Sequence, residues 1–173
     1  MIDRVVKFFN VIHIAMVYLA KLLLVGMVVI ISITVFMRYV LNTGVHWSEE
    51  IALVFVVWFS FISMAIGVKQ GLHISINILP PTVHPSFNAA MKKLRDIVVI
   101  VVGILMLIYG IILVQFTMRS IMPATKLPSG ILYMVLPPAA VLMIYEGITD
   151  ILNIDTKDAE VDRKLGGEEL LDE

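Results

Sequence analysis

The order of apolar and charged positions divides this chain before any composition is counted. A bilayer core about 30 Å thick needs roughly 20 apolar residues in a helix that rises about 1.5 Å per residue, and four stretches meet that requirement. The first runs from Phe8 to Met37, interrupted only by Lys21 and a few weakly polar residues. As one helix it would be about 45 Å long, too long for an upright span, so we divide it at Lys21, whose stem can snorkel to a headgroup layer. This predicts a span over about 20–38, preceded by an interfacial amphipathic segment over about 4–18. The second span, about 50–68, holds the uncharged run Ile51 to Val68 between Glu49-Glu50 and Lys69. The third, about 97–118, lies between Asp96 and Arg119. The fourth, about 131–148, contains Pro137-Pro138, which removes two backbone donors and predicts a bend inside the helix.

The connections carry their own patterns. Asn42-Thr43-Gly44 reads as a turn, Ser48 as the cap of the second span, and Glu49 and Glu50 as its first turn, where the helix dipole favours negative charge. Trp47 suits an interfacial anchor. From 69 to 79, Ile74, Ile76 and Ile78 alternate with Ser75 and Asn77, a strand-like period that we assign to an extended interfacial segment. Beyond Pro80-Pro81, Phe87, Ala90, Met91 and Leu94 recur at helical spacing beside Lys92, Lys93 and Arg95. That pattern predicts a short surface helix over about 85–96 on an anionic leaflet. Pro123 and Pro128 predict an ordered loop with few helical turns over 119–130.

Composition agrees with lipid as the solvent. Of 173 residues 60% are hydrophobic and 16% charged, against about 25% charged in soluble domains, and the mean hydropathy is +0.97. The net charge of -1 conceals an asymmetry: residues 1–149 carry ten Lys/Arg against five Asp/Glu, and residues 150–173 three against nine. We read 1–149 as a four-helix membrane domain and 150–173 as an acidic, solvated cytoplasmic tail. Zero cysteines excludes disulfides and thiol chemistry. The first apolar run is too long for a cleaved signal peptide. Lys/Arg near the span ends orient the chain. Arg4, Lys7, Lys21, Lys69, Lys92, Lys93, Arg95 and Lys157 fall on one side and Arg38, Arg119 and Lys126 on the other, which places both termini in the cytoplasm. The expected fold is an all-α integral membrane protein of four spans with interfacial segments.

Several of these residues together resemble the small membrane subunit, or Q subunit, of the tripartite ATP-independent periplasmic (TRAP) transporters. The matching pieces are Arg38-Tyr39, Trp47-Ser48-Glu49-Glu50, Gly71-x-His73-Ile74, and Lys126-Leu127-Pro128 followed by Tyr133 and Pro137, in order over about residues 15–150. One departure is Asn77, where the family often has an aspartate. The resemblance implies a bacterial inner-membrane component of a secondary transporter. In such a transporter a periplasmic binding protein captures an organic acid, such as a C4-dicarboxylate or sialic acid. A large membrane subunit moves it inward, usually with sodium. The small subunit supports the large one and binds neither substrate nor ion.

The residues themselves agree with a supporting role. Ion sites at the midplane show ionisable residues or broken helices, and the run Ile51 to Val68 and the third span contain no ionisable side chain apart from Tyr109. No catalytic residue, cofactor, metal ligand or nucleic-acid partner is expected. Arg38, Trp47, Glu49, Glu50, His73, Arg119 and Lys126 are candidate interface or structural residues. Arg38 paired with Glu49 or Glu50 would fix the first two spans together, and Glu146, opposed to the dipole of its helix, suits either a basic partner such as Lys21 or water at headgroup level. Ser60, Ser63, Gly67, Gly103 and Gly110 are candidate close-packing positions, and Pro137 and Pro138 a packing kink. Three rival classes are weaker. A membrane enzyme lacks an HExxH, a Ser/Asp pair or a phosphate loop. A self-contained transporter needs a buried mid-span carboxylate. A haem-carrying four-helix anchor of a respiratory complex needs histidines in two spans, and only His13 lies in an apolar stretch.

Overall fold

We describe the chain from a computed structural model over residues 2–70, 85–152 and 154. The strand-like stretch with His73 and Asn77, and the tail beyond 154, lie outside the described residues. Four α-helices run in chain order: α1 (Ile2–Val40), α2 (His46–Lys69), α3 (Pro85–Thr117) and α4 (Leu136–Ile151), with a 3-10 turn at Ser129–Tyr133 leading into α4. Among the described residues no strand forms beyond one isolated bridge between Ile121 and Pro128. Four segments are long and apolar enough to cross a membrane: Val6–Val40, His46–Lys69, Met91–Thr117 and Ser129–Ile151.

The division of the first apolar run is not seen. α1 continues through Lys21 as one helix of 39 residues, about 58 Å long. A lysine is a good helix former, and Lys21 lies on the outer surface beside the Tyr18 ring, so nothing interrupts the backbone. On the inner face Asn10, His13, Val17, Ala20 and Leu23 follow one another at helical spacing, and all are buried. The segment assigned to an interface is therefore a packed part of the bundle. The short surface helix and the third span likewise merge into the single α3.

α1 ends at Val40 because Asn42 adopts a left-handed backbone, φ 53°, and the Thr43 N–H turns back to the Met37 carbonyl. The predicted turn is thus in place. Ser48 does not cap α2: the cap position is Val45, and the buried Ser48 hydroxyl donates to its carbonyl at 2.6 Å. Nor do Pro137 and Pro138 bend a helix. They occupy the first turn of α4, where a missing N–H costs no intrahelical bond. The change of course is made before them, by the 3-10 turn, which the Trp58 Nε1–H holds to α2 through the Ile131 carbonyl at 2.9 Å.

The principal packing pairs are α1 with α2, α2 with α4, and α3 with α4. α4 is the most enclosed helix, and α3 turns a long apolar surface outward, including Ile97, Val101, Ile104, Ile108 and Phe116. In lipid, apolar faces gain little by meeting one another, so close approach of small residues sets the packing. Ala65, Ala139 and Ala140 are almost wholly enclosed. A Cβ on Gly103 would come within 2.7 Å of Ile144 Cγ1, and one on Gly110 within 3.0 Å of Leu136 Cβ. Gly147, on α4, meets Ile100 in the same way at 2.7 Å. Ser60 takes no part: it is exposed and its hydroxyl donates to Val56 within its own helix. Ser63 and Gly67 are half-buried.

Candidate functional site

The alternation of helix directions collects polar side chains at two ends. At the end that holds the start of α1 and the finish of α2 and α4, Lys69, Glu146, His13 and Asn10 form one enclosed cluster drawn from three helices. Lys69 Nζ donates to Asn10 Oδ1 at 2.6 Å and lies 3.4 Å from Glu146 Oε1. His13 Nδ1 is 3.1 Å from the Phe9 carbonyl; a carbonyl only accepts, so this nitrogen carries a proton. The other ring nitrogen, Nε2, faces Glu146 Oε1 at 3.6 Å. His13 and Glu146 are each 1% exposed. Phe9 stacks flat on Tyr145 at 3.7 Å and closes the cluster on one side.

A second group ties α3 to α4 at the same end. Arg95 Nε donates to Asp96 Oδ1 at 2.7 Å, and its Nη2 reaches Asp150 Oδ2 at 2.8 Å. Asp96 is 2% exposed, so the carboxylate read as a span boundary points into the bundle. Asp150, counted with the acidic tail, belongs by its contacts to the last turn of α4.

At the opposite end Glu50 reaches across to the loop after α3. Its Oε1 accepts the Ala124 N–H at 2.9 Å, and its Oε2 accepts the Thr125 N–H at 2.7 Å and the Thr125 hydroxyl at 2.6 Å. The loop is braced internally as well. Met122 N–H donates to Leu127 O at 2.8 Å, Lys126 N–H to Met122 O at 3.1 Å, and Ser129 N–H to Ser120 O at 2.8 Å. Lys126 sits at its tip with φ 60°, a left-handed conformation that costs a side-chain-bearing residue about 1–2 kcal/mol. The clasp on Glu50 holds that strained tip in place.

Two proteins of Haemophilus influenzae named as TRAP transporter small permease proteins are similar to this chain. One is 24% identical over 117 residues, covering 68% of this chain and 73% of the relative. The other is 25% identical over 120 residues, covering 69% and 73%. The family profile described as "Tripartite ATP-independent periplasmic transporters, DctQ component" matches residues 27–156. The chain belongs to the DctQ family. That match spans α2, α3 and α4, the Glu50 clasp and Glu146, and begins within α1 beyond Asn10 and His13. The family supplies components of multi-subunit membrane transporters, and this DctQ chain is accordingly a multi-pass membrane protein and a small TRAP permease subunit.

Of the residues singled out in the sequence, the structure of this DctQ protein brings some together and separates others. Glu50 serves the loop before α4 and not Arg38, which is exposed at the end of α1 and makes no ion pair among the described residues. Glu49, Trp47, Arg119 and Lys126 are exposed. Glu146 is met by Lys69 and His13, side chains that the sequence reading left at a flank and in a lead-in helix. The signal that could have found them is the spacing Asn10, His13, Val17, Ala20: polar and small residues on one helical stripe within an apolar run mark an inward face.

Proposed function

We propose that this chain is the non-catalytic small permease subunit of a TRAP-type secondary transporter in a bacterial inner membrane. It scaffolds a large membrane subunit that takes up an organic acid, such as a C4-dicarboxylate or sialic acid, delivered by a periplasmic binding protein and driven by a sodium gradient. Both termini and the Lys69–Glu146 end face the cytoplasm, as the Lys/Arg distribution favours, and the Glu50 end faces the periplasm.

The observation that carries this reading is where the partnered charges stand. Lys69 is held by Asn10 and Glu146, Arg95 by Asp150, and Glu50 by loop amides. These are contacts that fasten helices and loops to one another near their ends. Substrate and coupling-ion sites are instead built near the midplane from discontinuous helices. Meanwhile α1 and α3 present long apolar surfaces outward, as a chain set between lipid and a larger membrane partner requires. Affinity purification from native membranes tests the assignment. The tagged chain should bring down a large multi-span membrane protein in fixed proportion, and its recovery without such a protein would count against the scaffold role.

A further inference from the structure

His13 is enclosed and held, yet one of its ring nitrogens is left over by the scaffold role. Nδ1 carries a proton, because it lies 3.1 Å from the Phe9 carbonyl and a carbonyl only accepts. In the neutral ring Nε2 is therefore an acceptor, and it has no hydrogen-bond partner among the described residues. It faces Glu146 Oε1 at 3.6 Å, and a carboxylate oxygen is an acceptor too. Two lone pairs thus oppose one another where both residues are 1% exposed, so the low local dielectric makes the mismatch costly. A water donating to both atoms would hold them about 4.5 Å apart, farther than they are. A proton needs less room, and would draw them to about 2.7–2.9 Å in a charge-assisted hydrogen bond.

We infer that the His13–Glu146 pair is a proton-binding site, and that a proton bound there displaces Lys69 from Glu146. Each neighbouring helix brings its own polar groups to this end. α2 supplies Lys69, 3.4 Å from the same Oε1, and α1 the Asn10 amide that accepts from it. α4 supplies Glu146 and the Tyr145 ring stacked on Phe9. α3, packed on α4, brings Asp96, and Arg95 takes its carboxylate together with that of Asp150. With His13 neutral, Lys69 and Glu146 balance one another. An imidazolium would set a second cation beside the one carboxylate, and an enclosed charge without compensation is strongly unfavourable, so one cation must leave. The His13 ring is fixed within α1 by the Phe9 carbonyl. Lys69 is the last residue of α2, and its flexible stem can carry the ammonium out to the headgroup layer. The proton comes from the aqueous side and rests on Nε2, while Lys69 keeps its own. Glu146 thereby exchanges its link to α2 for a link to α1. The end of α2 is latched to α4 at neutral pH and released from it in acid.

The test uses the full chain in mild detergent with isotope-labelled histidine, and follows the His13 ring by NMR from about pH 8 to about pH 4. His13→Gln identifies its signals. The wild-type ring should hold the Nδ1–H tautomer at neutral pH and take up a second proton toward the acid end. Lys69→Met leaves Glu146 without its cation, so the second proton should bind at a concentration at least about tenfold lower; Lys69→Gln serves if Lys69→Met does not fold. Lys69→Arg should titrate like wild type, and Glu146→Gln should keep the ring neutral throughout. Because the chain has no cysteine, Gln70→Cys and Leu152→Cys place spin labels at exposed positions just past α2 and α4. The distance between the labels should lengthen as the ring takes up its proton, and should stay constant in His13→Gln. A ring that stays singly protonated over the whole range in the Lys69 variants would overturn the site. So would a ring that takes up its proton at the same pH in wild type, Lys69→Met and Glu146→Gln. A label distance that stays constant while the ring is protonated would overturn the displacement of Lys69.

Discussion

Lys69 and Glu146 offer the sharpest energetic test of the bundle. Their charged atoms lie 3.4 Å apart, with both side chains almost wholly enclosed. With an effective dielectric of about 20, Coulomb attraction at that separation is about 5 kcal/mol. Desolvating the two ions costs several kcal/mol each, so the intact pair contributes little net stability. Removing one member differs, because the other charge is left enclosed and uncompensated at a cost of about 3–5 kcal/mol. Lys69→Met strands Glu146, and Glu146→Leu leaves Lys69 with Asn10. Each should lower the thermal midpoint in mild detergent substantially. The double variant Lys69→Met/Glu146→Leu should recover most of the loss, giving a coupling energy of about 2–3 kcal/mol in a double-mutant cycle. The assay is unfolding of the purified chain followed by tryptophan fluorescence and circular dichroism. Strictly additive single effects, or a double variant worse than either single, would refute the reasoning.

Three further outcomes follow from named contacts. Glu50→Gln removes the charge behind three hydrogen bonds and should loosen the loop after α3; amide exchange at Ala124 and Thr125 should accelerate while exchange within α4 stays slow. Gly147→Val should cost about 1–3 kcal/mol by overpacking against Ile100 and the α3 backbone, whereas Gly26→Ala, whose neighbour is the tip of the Phe55 ring, should cost less; melting of the two variants side by side checks the order. Trp58→Phe should cost about 1 kcal/mol through the lost bond to Ile131 and should loosen the 3-10 turn, read as faster amide exchange at Ile131 and Met134.

The spans were legible because lipid imposes a length and forbids charge, and both constraints are written locally along the chain. Helix continuity was not. Lys21 looked like a boundary because its charge was weighed against the apolar run, yet a helix needs only backbone bonds, and an outward lysine breaks none of them. The prolines were misplaced for a related reason. Hydropathy continues from Ile131 into α4, but the backbone changes from 3-10 to α at about residue 135, a shift that apolar composition cannot encode. Partners of buried charges were hardest to assign. The sequence left Glu146 between a cation such as Lys21 and water at headgroup level, and its neighbours Lys69 and His13 come from helices 77 and 133 positions away in sequence; only the packing of α1 and α4 against α2 determines that choice. Glu50 reached a loop for the same reason, since pairing it with Arg38 assumed that nearness in sequence implied contact.

Uptake by reconstituted vesicles tests the central claim most directly. Proteoliposomes carrying this chain alone, supplied with the cognate binding protein, its organic acid and an inward sodium gradient, should accumulate no substrate above protein-free vesicles. Adding the large subunit should restore uptake, and the large subunit without this chain should support little. Sodium-driven accumulation by this chain alone would contradict a supporting role and move the transport site into these four helices.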